Sequence, residues 1–156
     1  MLKVNLYRAQ PKDVLEIRGS KDERFDGLIA LFDRLARERV DGVALTGQPF
    51  LESPPNLVIN LSSYVGGKSF LARLTQHMSV NRLQHPSVAA FSWAGSLDEW
   101  EDVAFLAHSL RDNGQEPGHH YLAQNAANDA QVVLSKGEYP MEDMKRGDMD
   151  MKRGRS

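Results

Sequence analysis

A glycine-glycine-lysine-serine run offers the first chemistry. Ser62-Ser63-Tyr64-Val65-Gly66-Gly67-Lys68-Ser69 follows the apolar stretch Leu57-Val58-Ile59-Asn60-Leu61 and precedes a helix-like segment. Backbone amides and a lysine at a strand-to-helix turn can cradle phosphate. A phosphate loop would need glycine where Ser62 stands, because that glycine permits the sharp return of the chain. No apolar strand ending in aspartate is evident to organise magnesium. The same residues read as an ordinary turn. One alternative is therefore a small nucleotide-binding enzyme using Gly66 to Ser69.

Histidines come next: His119-His120, with His77, His85 and His108 elsewhere. Adjacent strand residues point to opposite faces, so both rings of the pair cannot readily grip one metal. No His-Glu-x-x-His spacing occurs. The pair reads as one ring turned inward and one at the surface, where it and Tyr121 could touch a partner. Metal or base chemistry at His119 and His120 belongs with the enzyme alternative. With 0 cysteines, thiol catalysis, disulfides and thiolate zinc sites are excluded. Ser92-Trp93-Ala94-Gly95-Ser96 lacks the glycine expected before a nucleophile-elbow serine. The reading is a non-enzyme without cofactor or metal.

The third candidate is acidic. Asp98, Glu99, Glu101 and Asp102 crowd the first turns of a helix, where carboxylates complement the helix dipole. The same carboxylates could dock on a basic surface and steer association. Trp100 lies among them, either as a core residue or as an interface anchor. The partner-binding residues expected are Asp98, Glu99, Trp100, Glu101, Asp102, His119, His120 and Tyr121.

The elements that must position these residues follow from periodicity. The chain has 156 residues, 41% hydrophobic and 26% charged, with a net charge of -2, which suits one globular domain and not a dedicated nucleic-acid binder. Val14 to Ile17 reads as a strand and Gly27 to Arg39 as a helix ended by Asp41-Gly42. Val43 to Leu45 and Leu57 to Leu61 follow as strands. In the second half Val88 to Trp93 is a strand. Ser96-Leu97-Asp98-Glu99 is a capping box opening a helix that Asn113-Gly114 stops. His120 to Leu122 and Ala130 to Leu134 are strands. Leu2, Val4 and Leu6 suit an added edge strand.

The two halves thus repeat one order, with Val14 matching Val88 and Val58 matching Val132 at an offset of 74. The expected fold is α+β: tandem duplicated β-α-β-β units sharing a mainly antiparallel sheet, helices on one face, plus a linking helix over 68–79. Residues 1–138 form one domain of two repeats, about 1–64 and 86–138. Residues 139–156, with Met-Lys-Arg-Gly at 144–147 and 151–154, read as a flexible tail or an arm that orders on contact. The N-terminus lacks a signal-peptide pattern, and no apolar run approaches the roughly 20 residues of a membrane span. A cytoplasmic location without membrane or direct nucleic-acid contact is expected. A self-assembling structural or regulatory module, for instance a homodimer, is a further alternative.

The segments DEWEDVAFLAHSLRDNG, GHHYLA and DAQVVLSKGEY together resemble immunity protein family thirty-two of bacterial polymorphic toxin systems. The shared features are a helix with Leu106-Ala107, the strand Gly118-His119-His120-Tyr121-Leu122 and the apolar Val132-Val133-Leu134. They span about residues 97–139. The first half has no histidines at the matching Gly42-Val43-Ala44-Leu45. The resemblance implies a small α+β inhibitor that neutralises a cognate toxin by direct contact, such as a nuclease acting in the cytoplasm.

Overall fold

The structure, a computed structural model, describes residues 1–9, 11–67, 69–71 and 77–137. Among them run nine strands and two full helices. In chain order they are β1 (Leu2–Tyr7), β2 (Asp13–Gly19), α1 (Asp26–Arg37), β3 (Val40–Ala44), β4 (Leu51–Glu52) and β5 (Leu57–Tyr64). The second half continues with β6 (Ser79–Leu83), β7 (Ala89–Ser96), α2 (Leu97–Asp112), β8 (Gly118–Ala123) and β9 (Ala130–Lys136).

Local sequence explains most of these limits. Helix α1 buries Leu28, Ile29, Leu31, Phe32 and Leu35 on one stripe. It ends earlier than expected: Glu38 is already extended, and Asp41-Gly42 lies inside β3, at a register irregularity between Val40 and Val43. Val40 is drawn into the sheet because its N–H donates to Ser63 Oγ at 3.0 Å. Helix α2 opens on a complete capping box, with Glu99 N–H donating to Ser96 Oγ and Ser96 N–H to Glu99 Oε1. Gly114, at φ 75°, takes the left-handed conformation that lets the chain leave the helix.

The α+β class is as expected, but the strands form two sheets rather than one. The larger has the order β4-β1-β2-β9-β8 and the smaller β3-β5-β7-β6. Both are mixed: β2–β9 and β5–β7 are parallel seams, each flanked by antiparallel neighbours. Each half lends two strands to the other half's sheet, joined through the β5–β7 and β9–β2 pairs. A two-residue period shows which face a strand buries and not which strand lies beside it. The two sheets share the sequence of hairpin, parallel seam and antiparallel edge, a likeness of strand order. Leu15 pairs with Val132 and Ala89 with Leu57, so Leu57 rather than Val58 corresponds in face to Val132. Strand β1 is an edge only in part, because β4 covers Leu2 and Lys3.

One core cluster joins both helices to the inner faces of both sheets. At its centre Phe32 packs edge-on to Trp93 at 5.8 Å and stacks on Trp100 at 5.7 Å, while the two indoles lie 4.8 Å apart. Such aromatic pairs add about 0.5–1.5 kcal/mol each beyond area burial. The sheets are also stitched along one edge. Asp129 N–H donates to Val80 O at 2.8 Å, Val80 N–H to Asn128 Oδ1 at 3.1 Å, and Arg82 N–H to Asp129 Oδ2 at 2.8 Å. Asp13 joins this seam through Arg82 at 3.2 Å.

Of the expected linking helix, Phe70 and Leu71 have helical backbone, whereas Ser79 already begins β6. Positions 68 and 72–76 lie outside the described residues, as does the expected tail over 139–156. Among the described residues no helix is long and apolar enough to cross a membrane.

Candidate protein-docking surface

Parallel strands β5 and β7 end side by side, with Tyr64 paired to Ser96, and α2 starts there. The indole N–H of Trp100 donates to Ser62 O at 2.9 Å and fixes the helix start against β5. With that ring and Val103, Ala104, Ala107 and Leu110 turned inward, the opposite stripe of α2 faces solvent. That stripe carries Asp98, Glu101, Asp102 and Phe105, spaced three or four residues apart and so on one face. Phe105 is 70% exposed. Tyr64 and Val65, at the adjoining end of β5, add two more exposed apolar side chains.

Glu99 closes the capping box, and the other polar contacts of the helix lie further along. His108 meets Asp33 at 3.4 Å, and Arg111 meets Asp112 at 2.8 Å and Asp26 at 3.7 Å. The Arg111 hydrogen bond holds the Asp112 carboxyl below its ordinary value. Asp98, Glu101 and Asp102 have no cation partner among the described residues.

The expected site residues therefore separate. Asp98, Glu101 and Asp102 come together. Trp100 is fully buried, so it anchors the core and presents nothing to a partner. Tyr121 pairs with Val133 and His119 with Ser135, on the face of the larger sheet turned away from the helices, with their rings 5.7 Å apart. His120 pairs with Leu134 and is half-buried on the opposite face. The alternation expected of the histidine pair is present, and it divides the pair between two surfaces. Phe105, Tyr64 and Val65 were not singled out from sequence. For Phe105 the signal was its place outside the apolar stripe of its own helix.

Of the glycine-glycine-lysine-serine run in the enzyme alternative, Gly66 and Gly67 follow the end of β5. Ser63 Oγ donates to Glu38 O at 2.8 Å, Ser62 to Tyr64 belong to β5, and Lys68 lies outside the described residues. An open depression of about 980 Å³ is lined by Arg82, His85 and Asp129 among others. There His85 Nδ1 accepts from Ser87 and Val88 N–H at 3.2 and 3.3 Å, and Arg82 pairs with Asp13 and lies over Phe91 at 5.7 Å.

No protein-family model, curated protein or solved structure matches the chain.

Proposed function

We propose that the protein is an immunity-type inhibitor that binds a cognate toxin through the outer stripe of α2. Phe105 carries this reading. A phenylalanine left 70% exposed on the same stripe as Asp98, Glu101 and Asp102 sets an aromatic anchor beside charged neighbours, the two ingredients of an interface. Carboxylates with no cation partner among the described residues can meet a basic surface and raise the association rate. Tyr64 and Val65 extend the apolar part toward the strand ends, where the rigid β5–β7 seam supports it.

The test is co-expression with the product of the gene immediately upstream. The expected result is rescue of growth and a one-to-one complex. Phe105→Glu should weaken that complex by about 2 kcal/mol or more, roughly thirtyfold, with an unchanged melting temperature. Absence of rescue with the native chain rejects the reading.

A further inference from the structure

We propose that the depression beside the β6–β7 turn binds a free α-amino acid with an apolar side chain. Arg82 and His85 take its carboxylate, Asp129 its ammonium, and Leu83, Pro86 and Val88 its side chain. This inference is independent of the toxin reading, and its test involves no toxin.

Shape is the first argument. Residues 84–88 join β6 to β7, and beside them the surface hollows to about 980 Å³. Small-molecule clefts occupy about 300–1,000 Å³ and combine apolar lining with a few placed polar groups. Arg82, Leu83, His85, Pro86, Val88 and Asp129 supply both kinds here. Leu83 is 44% exposed, an apolar side chain that the core leaves uncovered.

Preorganisation is the second. Each polar group is fixed at one end and unmet at the other. His85 Nδ1 accepts from Ser87 and Val88 N–H at 3.2 and 3.3 Å, which leaves the ring proton on Nε2. That donor has no acceptor among the described residues. Arg82 Nη1 donates to Asp13 Oδ2 at 3.2 Å, and the guanidinium lies over Phe91. Its Nε and Nη2 have no partner among the described residues. Asp129 Oδ2 accepts Arg82 N–H at 2.8 Å, and Oδ1 has no partner among the described residues. A ligand that meets groups already held in place loses less side-chain entropy on binding.

Charge is the third, and it selects the ligand class. Arg82 and Asp129 are the two ionised side chains of the lining, so their charges cancel. A bare oxyanion would face the Asp129 carboxylate, and a bare amine the Arg82 guanidinium. A molecule that carries both charges meets each with its opposite. The apolar lining then suits a side chain such as that of leucine.

Equilibrium dialysis of the full chain against radiolabelled L-leucine tests this. The competitors are isocaproate and isoamylamine, which keep the apolar group and one charge each. Saturable leucine binding is expected, with each competitor at least about tenfold weaker than leucine itself. His85→Asn keeps an acceptor for the turn amides and removes the outer donor. It should weaken leucine binding by about tenfold at an unchanged melting temperature. Arg82→Gln should weaken binding at least as much, and if it unfolds the chain His85→Asn decides. No leucine binding in the native chain, equal binding of either competitor, or unchanged affinity in His85→Asn overturns the proposal.

Discussion

Ser63 and Lys136 hold the same place in the two sheets. Ser63 pairs with Val40 and Lys136 with Gly118, in each case the first residue of the antiparallel neighbour that follows the helix, and each side chain ties down the C-terminal end of that helix. Ser63 Oγ donates to Glu38 O at 2.8 Å. Lys136 Nζ donates to Leu110 O at 3.1 Å, Arg111 O at 3.3 Å, Asn113 Oδ1 at 2.9 Å and also to Gly114 O. A helix end leaves its last carbonyls unmet and carries partial negative charge. A hydroxyl suffices for α1, where the strand follows at once. The wider turn after α2 is closed by an ammonium.

Lys136 is 1% exposed and has no carboxylate among these partners, so its value lies in satisfying carbonyls. Lys136→Met keeps the buried stem and removes only the donors. It should cost about 2–3 kcal/mol in urea unfolding, and Ser63→Ala about 1 kcal/mol. A Lys136→Met variant as stable as the native chain would mean that desolvating the ammonium cancels its hydrogen bonds.

How far the sequence could be read depended on whether a signal was local. The capping box at Ser96 and Glu99, the stripe of α1 and the glycine stop at Gly114 are local, and each is found where expected. The pairing of β9 with β2 joins residues far apart in the chain, and no period encodes it. Strand β6 was hidden because the helical reading of 68–79 ran through Met78 into its first residue, Ser79. Lys136 was invisible, since a lysine after an apolar strand reads as surface until the helix end above it is known. At the candidate surface the acidic residues were legible from their spacing. Which aromatic faced solvent was carried by the same spacing, since Phe105 falls outside the stripe of Trp100, Val103, Ala104, Ala107 and Leu110.

The two buried tryptophans should respond differently to the same change. Trp100 donates its indole N–H to Ser62 O, whereas Trp93 Nε1 has no hydrogen-bond partner among the described residues. Replacement by phenylalanine removes similar apolar area in both. In Trp93→Phe it also removes an unmet donor, while in Trp100→Phe it breaks a bond. Trp100→Phe should therefore be the costlier by about 1–2 kcal/mol in denaturant titration. Equal losses would show that ring packing alone sets the cost. Trp100→Glu should prevent folding outright.

Tyr7 supplies a prediction in alkali. Burial, and then the negative charge of Glu16, push its phenol above the ordinary value of 10.0. The neutral phenol is thus favoured in the folded chain. Its contribution to stability is complete below pH 10, and falls as pH rises through the higher folded value. Absorbance at the phenolate band should show one of the 4 tyrosines titrating later than the others. Tyr7→Phe should abolish that late phase and flatten the alkaline loss of stability. Four tyrosines titrating together would contradict the assignment.

Asp129 completes the seam between the sheets by acting as a substitute strand for β6. Its carboxylate accepts Arg82 N–H at 2.8 Å, and its own N–H donates to Val80 O at 2.8 Å. Strand β6 is an outer strand of its sheet, so these bonds occupy backbone groups that another chain could otherwise pair with. Asp129→Ala removes the acceptor and should lower stability by about 1–2 kcal/mol. Asp129→Asn keeps an oxygen in place and should recover most of that loss. Sedimentation of Asp129→Ala should show association that grows with concentration, absent from Asp129→Asn. If both variants sediment alike, the edge is guarded by the Val80 bonds and not by the carboxylate.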